Sequence, residues 1–192
     1  MRFTSIAAAA ALALSAASAS GQRPPDAAAM IAQQRTAMAK LAVLDGVWRG
    51  TAWTILPDGS RHEINQTERI GTFLDGSVRV FEGRGYEAGG KMVFNAFGIV
   101  SFDPAANAYR FRSYAMGHQG DFPFRALADG YEWEVPAGPG AIIRYVATIK
   151  NGTFREVGHR IAGSAAPVQV FEMNLKRVGS TKWPAEGAVP MR

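Results

Sequence analysis

The sequence predicts an all-β domain of about ten antiparallel strands, joined up-and-down into a barrel and preceded by one N-terminal helix. Three observations carry this. Turn signals recur at hairpin spacing from Val47 to Val178. The segments between them are rich in β-branched and aromatic residues, in the alternating pattern of half-buried strands. The one convincing helical pattern ends just before Leu44-Asp45-Gly46-Val47-Trp48-Arg49-Gly50, where strand character begins.

In chain order, Met1-Arg2-Phe3 brings one positive charge, Ile6 to Leu14 is wholly Ala, Leu and Ile, and Ala17-Ser18-Ala19 offers small residues for cleavage. Residues 1–19 therefore read as a secretory signal peptide, too short for a stable membrane helix, which implies a periplasmic or secreted protein. Residues 20–25 read as a flexible leader. Asp26 then opens a helix on which Ile31, Met38 and Leu41 form a thin apolar stripe, so the helix is expected to lie on or cap the sheet. Gly46 suits the C-cap of this helix. Trp48, between Gly46 and Gly50, is expected to plug one end of the barrel, with ligand stacking as the alternative.

The strand segments run Val47–Leu56, Arg61–Phe73, Ser77–Tyr86, Lys91–Phe102, Tyr109–Met116, Phe122–Leu127, Tyr131–Val135, Ala141–Lys150, Thr153–Ile161 and Val168–Val178. Pro57-Asp58-Gly59, Asp75-Gly76, Gly89-Gly90, Gly117-His118-Gln119-Gly120, Asp129-Gly130 and Asn151-Gly152 are among the turns that separate them. Closing such a series removes the adhesive sheet edges. Helix and barrel together occupy residues 26–178, and residues 179–192, with two prolines and no alternation, read as a loose tail.

The motif Leu44-x-Gly46-x-Trp48-x-Gly50 resembles the opening strand of lipocalin-like (calycin) barrels. Glu68-Arg69-Ile70-Gly71-x-x-Leu74-Asp75-Gly76, Tyr109-Arg110-x-Arg112-Ser113-Tyr114-x-x-Gly117 and Phe171-Glu172-Met173-Asn174-Leu175-x-Arg177 extend the likeness to a bacterial family of secreted lipocalin-like domains of unknown function. Over residues 41–178 the resemblance implies a barrel with an internal pocket, and it supplies neither a ligand nor catalytic residues. The opening motif also resembles that of nitrobindin-like haem barrels, whose haem hangs from a histidine late in the chain. His159 is the late histidine here, and it is a haem ligand only if its strand face turns inward.

Charged residues on the more apolar face of a strand are candidates for the lumen. Glu68 shares a face with Ile64 and Ile70, Glu82 with Val78 and Val80, Arg144 with Ile142 and Val146, Glu156 with Phe154, and Glu172 with Val168 and Val170. The lumen set is Trp48, Glu68, Glu82, Arg112, Tyr114, Arg144 and Glu156, with Arg84, Arg112 and Arg144 available as carboxylate partners. Structural ion pairs or solvent-facing residues would produce the same pattern, and one bulge reverses every later face.

Cysteine is absent, so neither a disulfide nor a lipid anchor on a cysteine is expected. The histidines His62, His118 and His159 are not at metal-ligand spacing, and no metal or cofactor is expected. The net charge of +5 is scattered rather than blocked, which argues against nucleic acid as a partner. No Gly-x-Ser-x-Gly elbow or phosphate loop occurs. An outer-membrane barrel is disfavoured because Arg or Glu recurs in almost every strand. The expectation is a monomeric secreted protein that holds a small hydrophobic or amphipathic molecule in its lumen. The alternatives are an isomerase- or cyclase-type enzyme on the same barrel, or haem binding through His159. An enzyme would need two titratable groups with shifted pKa values facing each other across the lumen.

Overall fold

The structure is a computed structural model describing residues 26–187 and 189–191; the expected signal peptide (1–19) and leader (20–25) lie outside the described residues. Asp26 caps the helix α1 (Ala27–Ala39), its carboxylate accepting a hydrogen bond from the Ala28 amide at 3.0 Å. A short 3-10 turn, Ala42–Leu44, leads into the strands.

These are β1 (Gly46–Ile55), β2 (Arg61–Phe73), β3 (Val78–Tyr86), β4 (Met92–Asp103), β5 (Ala108–Ala115), β6 (His118–Leu127), β7 (Gly130–Pro136), β8 (Ala141–Lys150), β9 (Thr153–Ala162) and β10 (Val168–Gly179). Each pairs antiparallel with its neighbours in sequence, and β1 pairs with β10 to close the barrel. The all-β, up-and-down barrel read from the turn signals is the architecture found. Among the described residues no helix is long and apolar enough to cross a membrane.

Two boundaries differ from expectation. The β5–β6 turn is made by Met116 and Gly117, both at positive φ (50° and 83°), so His118-Gln119-Gly120 already belongs to β6 rather than to a long loop. Gly46 is not a helix cap. The caps are Lys40 for α1 and Asp45 for the 3-10 turn, and Gly46 begins β1. Its φ of 147°, and the Gly179 carbonyl only 2.9 Å from where a Cβ would stand, account for the glycine.

The helix end and the 3-10 turn form the floor of the barrel. Met38, Leu41 and Leu44 sink into it and meet Trp48, Ile70, Val100, Phe154 and Leu175. The Trp48 indole donates to the Leu44 carbonyl at 2.8 Å, and its ring meets Phe154 edge-on at 5.6 Å. Barrel side chains also hold the last helical carbonyls, adding to the amides of the cap turn, Lys40 on Ala37 at 3.3 Å and Leu41 on Met38 at 3.0 Å. Tyr109 Oη donates to the Ala37 carbonyl at 2.8 Å, and Arg79 Nη1 donates to that of Met38. Arg79, almost wholly buried, forks onto both Asp45 oxygens at 2.7 and 2.8 Å. Only the C-terminal part of the expected apolar stripe is used: Ile31 is 40% exposed.

The stretch after β10, which shows no strand pattern in sequence, lays Trp183 on the outer wall. Its ring stands edge-on to Phe97 at 6.4 Å, and the Arg69 guanidinium lies 5.6 Å from its centroid. The Trp183 carbonyl sits where a Cβ on Gly71 would project, so the outer face of β2 and β3 is covered there.

Candidate functional site

From the floor upward the lumen first fills with rings. Phe124 stacks on Tyr131 at 5.2 Å, Phe81 meets Tyr131 at 6.0 Å, and Phe111 meets Trp133 edge-on at 5.0 Å. Above them the inward positions turn small: Ala52 on β1, Ala96 on β4, Ser113 and Ala115 on β5. A barrel's bore grows with strand number, and ten strands with small inward residues leave space where an eight-stranded barrel is just filled. The result is a cavity of about 370 Å³ in the half away from the helix, with a further chamber of about 90 Å³ beneath it. Its size is that of a small-molecule site.

Two glutamates project into both spaces. Glu68 comes from β2 and Glu156 from β9. Glu156 Oε1 accepts the Trp133 indole N–H at 2.9 Å. Glu68 Oε1 accepts the Gln66 amide at 2.7 Å and lies across β3 at Gly83, where a Cβ would fall 2.6 Å from the same oxygen. Glu68 keeps some accessible surface because it lines the cavity, whereas its carboxyl is removed from bulk water. Neither glutamate belongs to an ion pair among the described residues, and no lysine or arginine lines the cavity.

Burial without counter-charge favours the protonated form. Burial pushes the Glu68 carboxyl up to about 8, against the pull of the Gln66 amide and with help from the negative charges of Glu156 and Glu82. Burial likewise pushes Glu156 up to about 7, against the Trp133 indole and the nearby Tyr131 hydroxyl. The Tyr145 hydroxyl, buried beside Glu156, is pushed up to about 12. Tyr131 is held well above the ordinary tyrosine value, by burial first and by both glutamates after that. Burial thus favours the protonated form of both cavity carboxyls and keeps both phenols neutral.

The wall beside Glu156 is aromatic. Trp133 stacks on Tyr145 at 4.6 Å with an interplanar angle of 16°, and Tyr145 meets Phe171 edge-on at 5.5 Å. His62, Thr54 and Ile64 stand toward the mouth, beside the hairpin that joins β1 to β2, and Phe94 stands beside the one that joins β3 to β4.

Of the seven residues assigned to the lumen by sequence, the structure brings Glu68 and Glu156 together there. Trp48 faces inward but is packed into the floor, 1% exposed, and lines no cavity. Glu82, Arg112, Tyr114 and Arg144 are corrected to the outer wall. Glu82 pairs with Arg84, Arg112 with Asp121 at 2.7 Å and with the Tyr114 hydroxyl at 2.8 Å, and Arg144 with Glu134 at 2.7 Å. The reason is that several strands are apolar on both faces. Val80, used to choose the face of Glu82, is buried from outside, beside the position of Gly71 that Trp183 covers. The inward residues of β3 are Arg79, Phe81 and Gly83.

His159 is corrected too. Glu156 and Gly158 face inward, the latter against the Tyr145 ring, so His159 faces outward, in register with Arg144. It lines no part of the cavity, so haem hung from His159 inside the lumen does not fit. Sequence reasoning missed Gln66, Trp133 and Tyr145. Extending the alternation of Glu68 by one step finds Gln66, and counting back from the Pro136–Gly140 turn pairs Trp133 with Tyr145. Among the described residues no group of three or more His, Cys, Asp or Glu is placed to hold a metal ion.

No protein-family model matches this sequence, and no curated protein matches it either.

Proposed function

We propose that this protein binds a small amphipathic molecule in its barrel lumen. The observation that carries the reading is the cavity of about 370 Å³, apolar and aromatic over most of its wall, with Glu68, Gln66 and Glu156 converging on it. A lumen filled to the mouth would have opposed it. The lipocalin-like motifs around Trp48 support the same use of the barrel. We also propose export as a monomer, with residues 1–19 removed. The outer wall, laced with ion pairs on β3 and on β5 to β10, lacks the continuous apolar band of a membrane barrel. Native mass spectrometry of the protein from its own host tests both points. The expected species is a monomer beginning at Ser20 and carrying a small non-covalent adduct. A ligand-free species that takes up no small amphipathic compound would end the binding reading.

The paired carboxyls favour a second reading, acid–base catalysis of the isomerase or cyclase type. Glu68 and Glu156 share one space, and their raised pKa values, about 8 and about 7, lie near the neutral range that suits proton transfer. Returning the extracted ligand to the protein and analysing for an isomer separates the readings. An unchanged ligand leaves binding alone.

A further inference from the structure

Resting on the reading of the lumen as a ligand site, we infer that its ligand is an organic monocation: a protonated amine on an apolar body, with the ammonium between Glu68 and Glu156. Three geometric facts point the same way. Both carboxyls project into one enclosed space, and Glu156 is only 7% exposed. Their donors are neutral, the Trp133 indole with the Tyr131 hydroxyl nearby for Glu156 and the Gln66 amide for Glu68, and among the described residues neither forms an ion pair with a cationic side chain. An ammonium can donate to the oxygens that these donors leave open. The adjoining wall offers ring faces and edges of Trp133, Tyr145 and Phe171, surfaces that accept either a hydrocarbon body or a cation.

The charge ledger selects the sign. An anionic ligand would meet two carboxyls that can only become negative, with no arginine or lysine in the lining to receive it. A neutral alcohol would find hydrogen bonds but leave the carboxyls protonated. A monocation supplies the charge that the inner wall lacks, and one carboxyl ionises to match it as it binds, releasing its proton to solvent. The other charged or titratable groups near the pair are Tyr131, Tyr145, His62 and Glu82. Two are phenols held neutral, His62 stands at the mouth, and Glu82 on the outer wall adds negative potential.

The test is calorimetric titration of the purified protein with three probes of equal body and different head: 3-phenylpropylamine, 3-phenylpropanol and 3-phenylpropanoate. At about pH 8 the amine is expected to bind at least about tenfold more tightly than the alcohol, and the carboxylate more weakly than either. Near neutrality the amine's binding enthalpy should vary with buffer ionisation enthalpy, reporting proton release. At about pH 5.5, where both carboxyls are protonated, the amine's advantage should shrink by about tenfold or more. Glu68→Gln combined with Glu156→Gln should reduce the amine to the affinity of the alcohol while alcohol binding persists, which shows that the variant is folded. If the alcohol binds and the amine gains nothing over it, the lumen remains a ligand site and the cation is wrong. Preferential binding of the carboxylate overturns the inference too. If none of the three binds at millimolar concentration, the reading of the lumen as a site for small amphipathic molecules falls, and this inference falls with it.

Discussion

The two walls of the barrel treat the same side chain in opposite ways. On the outer wall, Glu172 accepts hydrogen bonds from Asn174, Arg155 and Gln169, and the Asn174 contact leads in lowering its carboxyl to about 2. On the adjacent strand Glu156, turned inward, is pushed up to about 7 by burial. Glu63, Glu82, Glu132 and Glu134 on the outer wall are each beside an arginine. Among the described residues the inner wall has one buried arginine, Arg79, and it is committed to Asp45 at the floor. These outer-wall glutamates and Asp45 at the floor are thus met by arginine, whereas among the described residues Glu68 and Glu156 face the cavity without one. Burial favours the protonated form of the inner pair, and the proposed ligand would bring the positive charge that ionises it.

The comparison can be broken first at the floor. Arg79→Met leaves the Asp45 carboxylate without its arginine and removes one of the two donors to the Met38 carbonyl, and is expected to cost about 3 kcal/mol, read by denaturant unfolding. Loss below about 1 kcal/mol would mean that the buried pair is no better balanced than the cavity carboxyls.

It can be sharpened by pH. Both cavity carboxyls have an ordinary value near 4.5 and folded values of about 8 and about 7. Between those limits the folded protein keeps protons that the unfolded chain has released. Stability should therefore fall as pH rises from about 4.5 to about 8, by up to about 1.4 kcal/mol per pH unit for each carboxyl, and level off above that. Glu68→Gln or Glu156→Gln should each remove part of the slope. A profile that rises over this range would reverse the assignment of the inner wall.

The smallest effect belongs outside. Arg144→Ala removes an exposed pair with Glu134 and should change stability by about 0–1 kcal/mol, measured by thermal unfolding. A larger loss would show the outer pairs to be structural supports.

The barrel was legible because turns and alternation are local. Asn151-Gly152 and Asp75-Gly76 mark hairpins whatever lies across the sheet, and β2 and β8 begin and end where those signals place them. The site was half legible. Glu68 and Glu156 lie on strands whose inward face is marked by Ile64, Ile70 and Phe154, so alternation found them. Glu82 and Arg144 were misplaced because Val80, Ile142 and Val146 make the outer face apolar as well. At Val80 the cover is the tail with Trp183, a contact across the whole chain that no local pattern announces. The meeting of Glu68 with Glu156 depends on closure of β1 onto β10, and their separation in sequence carries no trace of it.

The most direct test of the account is the titration of the glutamate side-chain carboxyl carbons by NMR in the ligand-free protein, with Glu68→Gln and Glu156→Gln used for assignment. The account predicts two carboxyls that titrate as a coupled pair between about 7 and about 8, while that of Glu172 stays ionised down to about 2. If Glu68 and Glu156 both titrate near 4.5 like exposed glutamates, the inner wall is not short of positive charge, and the account is contradicted.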